Sequence, residues 1–178
     1  MSTHAPRSTS TTETGGPDAG APLADVWQRV VARLVDHVLV GIALAVLLSA
    51  LGLGAFSVMG GPGRLVAGVV AAVVTAAVSV GYFTVLEARD GRTLGKRLLG
   101  IRVVDAAGRT PGIEQALRRN LWTGLGIVSA VPLVGGAAGT LASFVAVVLI
   151  LVTMTQDTRD RRGWHDTFAG GTRVVRAD

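Results

Sequence analysis

The chain contains no cysteine, which excludes disulfides, thiol chemistry and cysteine-ligated metals. Aromatic residues make up 4% and charged residues 16% of its 178 residues, against 49% hydrophobic residues and 24 glycines. A soluble domain carries about 25% charged residues, and a mean hydropathy of +0.51 points instead to a membrane. The formal net charge is +5, but the arginines lack the interleaved aromatics of a nucleic-acid surface. They read as topology signals and lipid-headgroup contacts, so the bilayer is an expected partner and nucleic acid is not. Residues 1–25, rich in Ser, Thr, Pro and Gly, lack the basic start and apolar run of a signal peptide and read as a disordered tail.

Long apolar runs are what the sequence has in abundance. A helix needs about 20 apolar residues to cross a bilayer core of about 30 Å. Residues 30–56 and 65–86 qualify, joined by the turn SVMGGPGR. The third block, Leu121 to Met154, would overshoot the bilayer as one helix, at about 50 Å. It is expected to break at Pro132 to Gly136, where proline removes a backbone donor and two glycines favour a turn. The expected fold is therefore all-α, with four transmembrane helices in two hairpins at about 30–56, 65–86, 116–134 and 137–154. A cytoplasmic segment at 87–115 and a tail at 155–178 complete a membrane domain spanning 26–178.

Charge placement supports that count. The 87–115 segment with the start of the third helix carries eight Lys or Arg residues, and the tail after Met154 carries five Arg, including Arg161 and Arg162. The positive-inside rule puts both on the cytoplasmic side, which requires an even number of helices between them. The same parity places the N-terminus inside, with Arg29 and Arg33 at the start of the first helix.

Within that first helix stands an aspartate. Arg29, Arg33 and Asp36 are spaced i, i+4, i+7 and share one stripe, so the arginines can bracket the acid. Asp36 lies about 10 Å beyond Arg29, inside the hydrocarbon but short of its centre. Two readings follow: a polar pocket in which Arg29, Arg33 and Asp36 bind or relay a small ion, or an anchor that fixes helix rotation and packing. Thr75, Ser79, Tyr82 and Thr84 of the second helix are candidates to face Asp36. The ladders Ala67, Ala71, Thr75, Ser79 and Ala138, Ala142, Ala146 suit close packing or a homo-oligomer. An ion path through four helices would require the latter.

The cytoplasmic segment DGRTLGKRLLGIRVVDAAGRTPG contains Gly95 and Lys96, but a nucleotide-binding loop needs Ser or Thr where Arg97 stands, and its spacing from Gly91 is too short. Leu94, Leu98, Leu99 and Ile101 suit an amphipathic element on the membrane surface. In the tail, His165 and Asp166 have no second ligand and no nucleophile beside them, so they and Asp105 read as structural cap residues. No catalytic residue, metal site or cofactor is expected, and the chain reads as no enzyme. The pattern Gly-x-Arg-Val-Val occurs twice, at 100–104 and 171–175. Strands Ile101 to Val104 and Thr172 to Val175 are expected to pair, with Val103 beside Val174 and with Arg102 and Arg173 turned to water or headgroups.

The arginine and aspartate of the first helix, the Gly-x-Thr-x-Gly-Lys run with Gly-Ile-Arg-Val-Val ending on Asp105, and His165-Asp166 with Ala169 and Gly170 together resemble the RDD family of bacterial membrane proteins. The resemblance spans roughly residues 24–176. The family is named for an arginine and two aspartates: Arg29 and Asp36 fit the first two, and Asp105 or Asp166 the third. Gly170 followed by Gly171 departs from the family, which more often runs from its glycine directly to threonine. The resemblance implies a multi-pass protein of the bacterial cytoplasmic membrane with both termini inside. It associates some members with cation/proton exchange. The expected function is transport or permeation of a small ion, with Asp36 as the titratable or coordinating group and Arg29 and Arg33 setting its pKa and orientation. The alternative is a non-catalytic accessory or assembly protein whose cap docks partners.

Overall fold

The computed structural model describes residues 15–53, 61–130 and 135–177. In chain order the elements are α1 (Val26–Ala50), α2 (Gly61–Asp90), α3 (Leu94–Leu98), β1 (Ile101–Val104), α4 (Ile113–Asn120), a 3₁₀ helix (Leu121–Ala130), α5 (Gly135–Gln156), α6 (Trp164–Phe168) and β2 (Arg173–Arg176). Three of them, α1, α2 and the Gly136–Gln156 part of α5, are long and apolar enough to cross a membrane.

These helices reverse the pattern of a soluble bundle. On α1 the buried stripe is Arg29, Ala32, Asp36, Val40 and Leu44, the i, i+3, i+4 spacing of one helical face. Its other faces present Leu34, Ile42 and Val46, each at least 60% exposed. Leu and Val outward with Arg and Asp inward is stable only where the surrounding solvent is hydrocarbon.

Among the described residues, the third expected crossing is not found as a membrane-length α-helix. Instead of one α-helix over 116–134, α4 ends at Asn120 and the chain tightens into a 3₁₀ helix of 10 residues, wedged between α2 and α5. Such runs seldom exceed four residues. The tighter coil rises about 2 Å per residue, so it covers about 20 Å, and α4 adds about 12 Å. The pair thus reaches about as far as a regular transmembrane helix. Close packing accompanies it: a Cβ on Gly124 would sit 3.2 Å from the Val80 side chain of α2. The expected break at Pro132 lies outside the described residues.

The two Gly-x-Arg-Val-Val copies pair as antiparallel strands, with Val103 opposite Val174 and Ile101 opposite Arg176. Ile101, Val103 and Val174 pack with Ala24 and Ala32 into the apolar core of a cap. Residues 15–25 depart from the disordered tail expected of them. Gly16 N–H donates to the Ala107 carbonyl, Ala24 N–H to Val174, and Leu23 bridges Val175. Arg102 pairs with Asp18 at 3.0 Å and Arg173 donates to the Ala19 carbonyl, so both turn toward this segment rather than toward headgroups. Residues 1–14 lie outside the described residues. Through these contacts the start of α1, the end of α2, the start of α4 and the end of α5 converge on one face.

Candidate functional site

The residues that join cap to helices are polar and buried. Asp36 is fully buried and accepts three hydrogen bonds. Tyr82 Oη donates to its Oδ1 at 2.7 Å, Thr93 Oγ1 to its Oδ2 at 2.5 Å, and the Gly95 backbone N–H to Oδ1 at 2.8 Å. Thr93 also caps α3, accepting from Lys96 N–H at 3.4 Å. Gly95 must lack a side chain, since a Cβ there would overlap the Ala32 carbonyl oxygen and lie 3.0 Å from Asp36 Cγ. Gly91, with φ +68°, makes the turn between α2 and this element. The Gly-x-Thr-x-Gly-Lys run is thus a plug that docks on the aspartate of α1.

The arginines of the stripe find other acids. Arg29 lies 3.8 Å from Asp166 and donates to the carbonyls of Arg161 at 2.6 Å and Val174 at 3.2 Å, tying α1 to the tail. Arg33 lies 4.0 Å from Glu87, donates to Asn120 Oδ1 at 3.0 Å, and stacks over the Phe83 ring at 3.8 Å. The expected bracket of Asp36 by Arg29 and Arg33 is replaced by these contacts, because donors from α2 and α3 already fill its oxygens. Of the second-helix candidates, Tyr82 is the one that reaches Asp36. His37 packs on Phe83 and Trp122 and bonds the Arg33 carbonyl, as a packing residue does.

Two further acids, Glu87 and Asp166, are fully buried. Glu87 pairs with Lys96 Nζ, Arg119 Nε at 3.4 Å and Asn120 Nδ2 at 2.8 Å. Asp166 accepts from Arg119 Nη1 at 2.7 Å, Thr172 Oγ1 at 3.1 Å and the Gly163 N–H at 3.0 Å. Arg119 bridges the two, joining α2, α4 and α6. Burial pushes the Lys96 ammonium down to about 8, against the pull of Glu87. It pushes His165 down to about 4 although Asp166 is adjacent, so that ring is neutral at neutral pH. Burial raises Asp166, but Arg119, His165 and Arg29 together outweigh it and hold the carboxyl at about 2.

Arg29, Arg33, Asp36, His165 and Asp166 therefore meet at one junction. Asp105 stands apart, closing the turn after β1 by accepting from the N–H groups of Ala107 and Arg109, both at 2.8 Å. Sequence reading missed Glu87, Lys96, Arg119 and Asn120. Arg118 and Arg119 look alike in the sequence, yet Arg118 pairs with exposed Glu114 while Arg119 is buried. The available signal was a glutamate near the end of an apolar run.

Beside the junction, α1 and α5 form opposite walls of a cavity of about 340 Å³. Its walls are apolar and its cap end holds Arg29, Arg33, Lys96 and Arg119 together with His165 and Asp166. Among the described residues no group of three or more His, Asp or Glu side chains is arranged to hold a metal.

The model described as the RDD family matches residues 23–170, a range that contains the whole junction. No curated protein and no solved structure gives a match.

Proposed function

The chain belongs to the RDD family, and from that premise we propose a four-crossing protein of the bacterial cytoplasmic membrane, both termini inside, serving as a non-catalytic accessory or assembly protein. That it is a membrane protein follows from its family and its apolar helices. The fourth crossing in this reading is α4 with the 3₁₀ helix. Asp36 and Asp166 serve as latches between bundle and cap. Asp166 rather than Asp105 is taken as the family's second aspartate, because it faces Arg29.

One observation carries the accessory role: each of the three fully buried carboxylates, Asp36, Glu87 and Asp166, already has its oxygens bonded to protein donors. A cation entering would have to displace them, and Arg29, Arg33, Lys96 and Arg119 outnumber Asp36, Glu87 and Asp166 by one charge. The outward surface of the cap is arginine-rich, with Arg89, Arg92 and Arg97 lining one groove beside Asp90, which suits acidic partners or headgroups.

Cation/proton exchange is the second reading. It is favoured by Lys96, whose lowered value of about 8 puts a titrating group against Glu87. Purified protein in vesicles under imposed proton and sodium gradients separates the two. The accessory reading expects flux no higher than in empty vesicles. Flux that Asp36→Asn abolishes, with expression and assembly intact, would establish exchange instead.

A further inference from the structure

The cavity between α1 and α5 is not accounted for by the latch. Its upper walls are Leu34, Val147 and Leu151, side chains at least 38% exposed on the outer surfaces of membrane-spanning helices. Toward the cap its lining is Arg29, Arg33, Lys96 and Arg119 with one acid, Asp166, and three lining residues carry a buried nitrogen without a hydrogen-bond partner: Arg29 Nε, Trp122 Nε1 and His165 Nδ1. Arg29 itself is 8% exposed. Buried donors left unmatched are costly and are rare in a finished fold. Apolar walls open to the bilayer above a positively charged, donor-bearing base are complementary to an amphiphile with an anionic head and acyl chains.

We propose that this cavity is a binding site for one anionic phospholipid, drawn laterally from the leaflet on the cap side. The phosphate lies toward Arg29 and Trp122, and the chains run out between α1 and α5. Charge decides the class. The buried cluster of Arg29, Arg33, Lys96, Arg119, Asp36, Glu87 and Asp166 carries one positive charge in excess, which a monoanionic headgroup neutralises. A zwitterionic lipid brings a choline against that same floor and is disfavoured. Position decides the source: the cavity lies where the helices enter the cap, at the level of the headgroups.

The lipid site holds whether or not the protein moves ions. It is tested by native mass spectrometry of the whole protein released from bilayer discs holding equal amounts of phosphatidylglycerol and phosphatidylcholine. The expected result is one phosphatidylglycerol retained per chain, at least tenfold over phosphatidylcholine. Leu34→Trp, which fills the groove without touching the charged floor, should abolish that retention while leaving the unfolding temperature in phosphatidylcholine unchanged. Leu151→Trp, from the opposite wall, does the same should the first variant fold poorly. Equal retention of the two lipids by the unaltered protein overturns the proposal. So does inorganic phosphate displacing phosphatidylglycerol at millimolar concentration, which would make the site one for a free anion. A dimer that both tryptophan variants dissociate overturns it in favour of a second copy of this chain.

Discussion

At the residue scale, Asp36 shows what a buried carboxylate does when it meets only hydrogen-bond donors. Tyr82, Thr93 and Gly95 each supply one, so the acid holds α3 against α1. Asp36→Asn replaces one acceptor oxygen by a donor and sets it against a hydroxyl or an N–H. We expect a loss of about 1–3 kcal/mol, the cost of leaving a buried polar group unmatched, read as a lower unfolding temperature in detergent. Gly95→Ala should cost at least as much, because the obstruction is the backbone carbonyl of Ala32, which cannot swing aside. An Ala variant that unfolds at the wild-type temperature would show that α3 does not seat on Asp36. The tail gives a pH dependence of definite sign. His165 titrates at about 4 folded against 6.5 unfolded, so between those values the unfolded chain binds more protons and stability falls as pH falls. Asp166, held at about 2 against 3.8, withdraws its contribution in the same direction between 3.8 and 2. His165→Gln should flatten the unfolding temperature between pH 6.5 and 4 and leave the loss below 3.8. An unchanged slope between pH 6.5 and 4 would mean that His165 is already charged in the fold.

At the scale of elements, the two strands are each four residues long and hold one another only because the helices bring them together. Val103 and Val174 stand directly opposite, at a spacing of about 4.5–5.5 Å between Cα atoms in an antiparallel pair, within reach of a disulfide. In this cysteine-free chain, Val103→Cys with Val174→Cys should give an intrachain crosslink on mild oxidation. Crosslinks that form only between chains would mean that the strands exchange between copies. That the two copies of Gly-x-Arg-Val-Val pair, with Val103 beside Val174, was legible from the repeat; the bounds were not, since the second strand runs Arg173–Arg176 rather than the expected 172–175. The apolar helices were legible for the same kind of reason, a local pattern with a physical period. The 3₁₀ helix was not: a run such as LWTGLGIVSA has no polar residue whose spacing separates 3.0 from 3.6 residues per turn. Nor were the partners of Arg29 and Arg33. Helical spacing put them on the stripe with Asp36, but whether an arginine meets Asp36, Glu87 or Asp166 depends on how α2, α4 and α6 converge.

At the scale of the molecule, that convergence is what the proposed topology rests on. β1 follows α2 and β2 follows α5, and the strands pair, so α2 and α5 end on the same face. Residues 22–24 hydrogen-bond to the same sheet, so α1 begins there as well. A chain that leaves this face along α1 and returns along α2 must leave and return again before α5 ends on it. In the proposed reading the 3₁₀ helix, which continues from α4 after Asn120, makes the outward passage. The proposed cytoplasmic side of the cap rests on charge: Arg89, Arg92, Arg97, Arg102, Arg109 and Arg118 all sit on it, and each Arg or Lys kept from translocation favours the cytoplasm. Single cysteines can be placed at Gly63, Gly112 and Gly136, where an added Cβ meets nothing within 4 Å, and at Ala177. In intact cells a membrane-impermeant thiol reagent should label Gly63→Cys and Gly136→Cys, and should reach Gly112→Cys and Ala177→Cys only after the membrane is opened. Labelling of Gly63→Cys without Gly136→Cys would mean that the 3₁₀ segment does not cross, leaving α5 to enter from the cap side. The arginines would then lie on both sides of the bilayer, and the strand pairing that joins the two halves could not form.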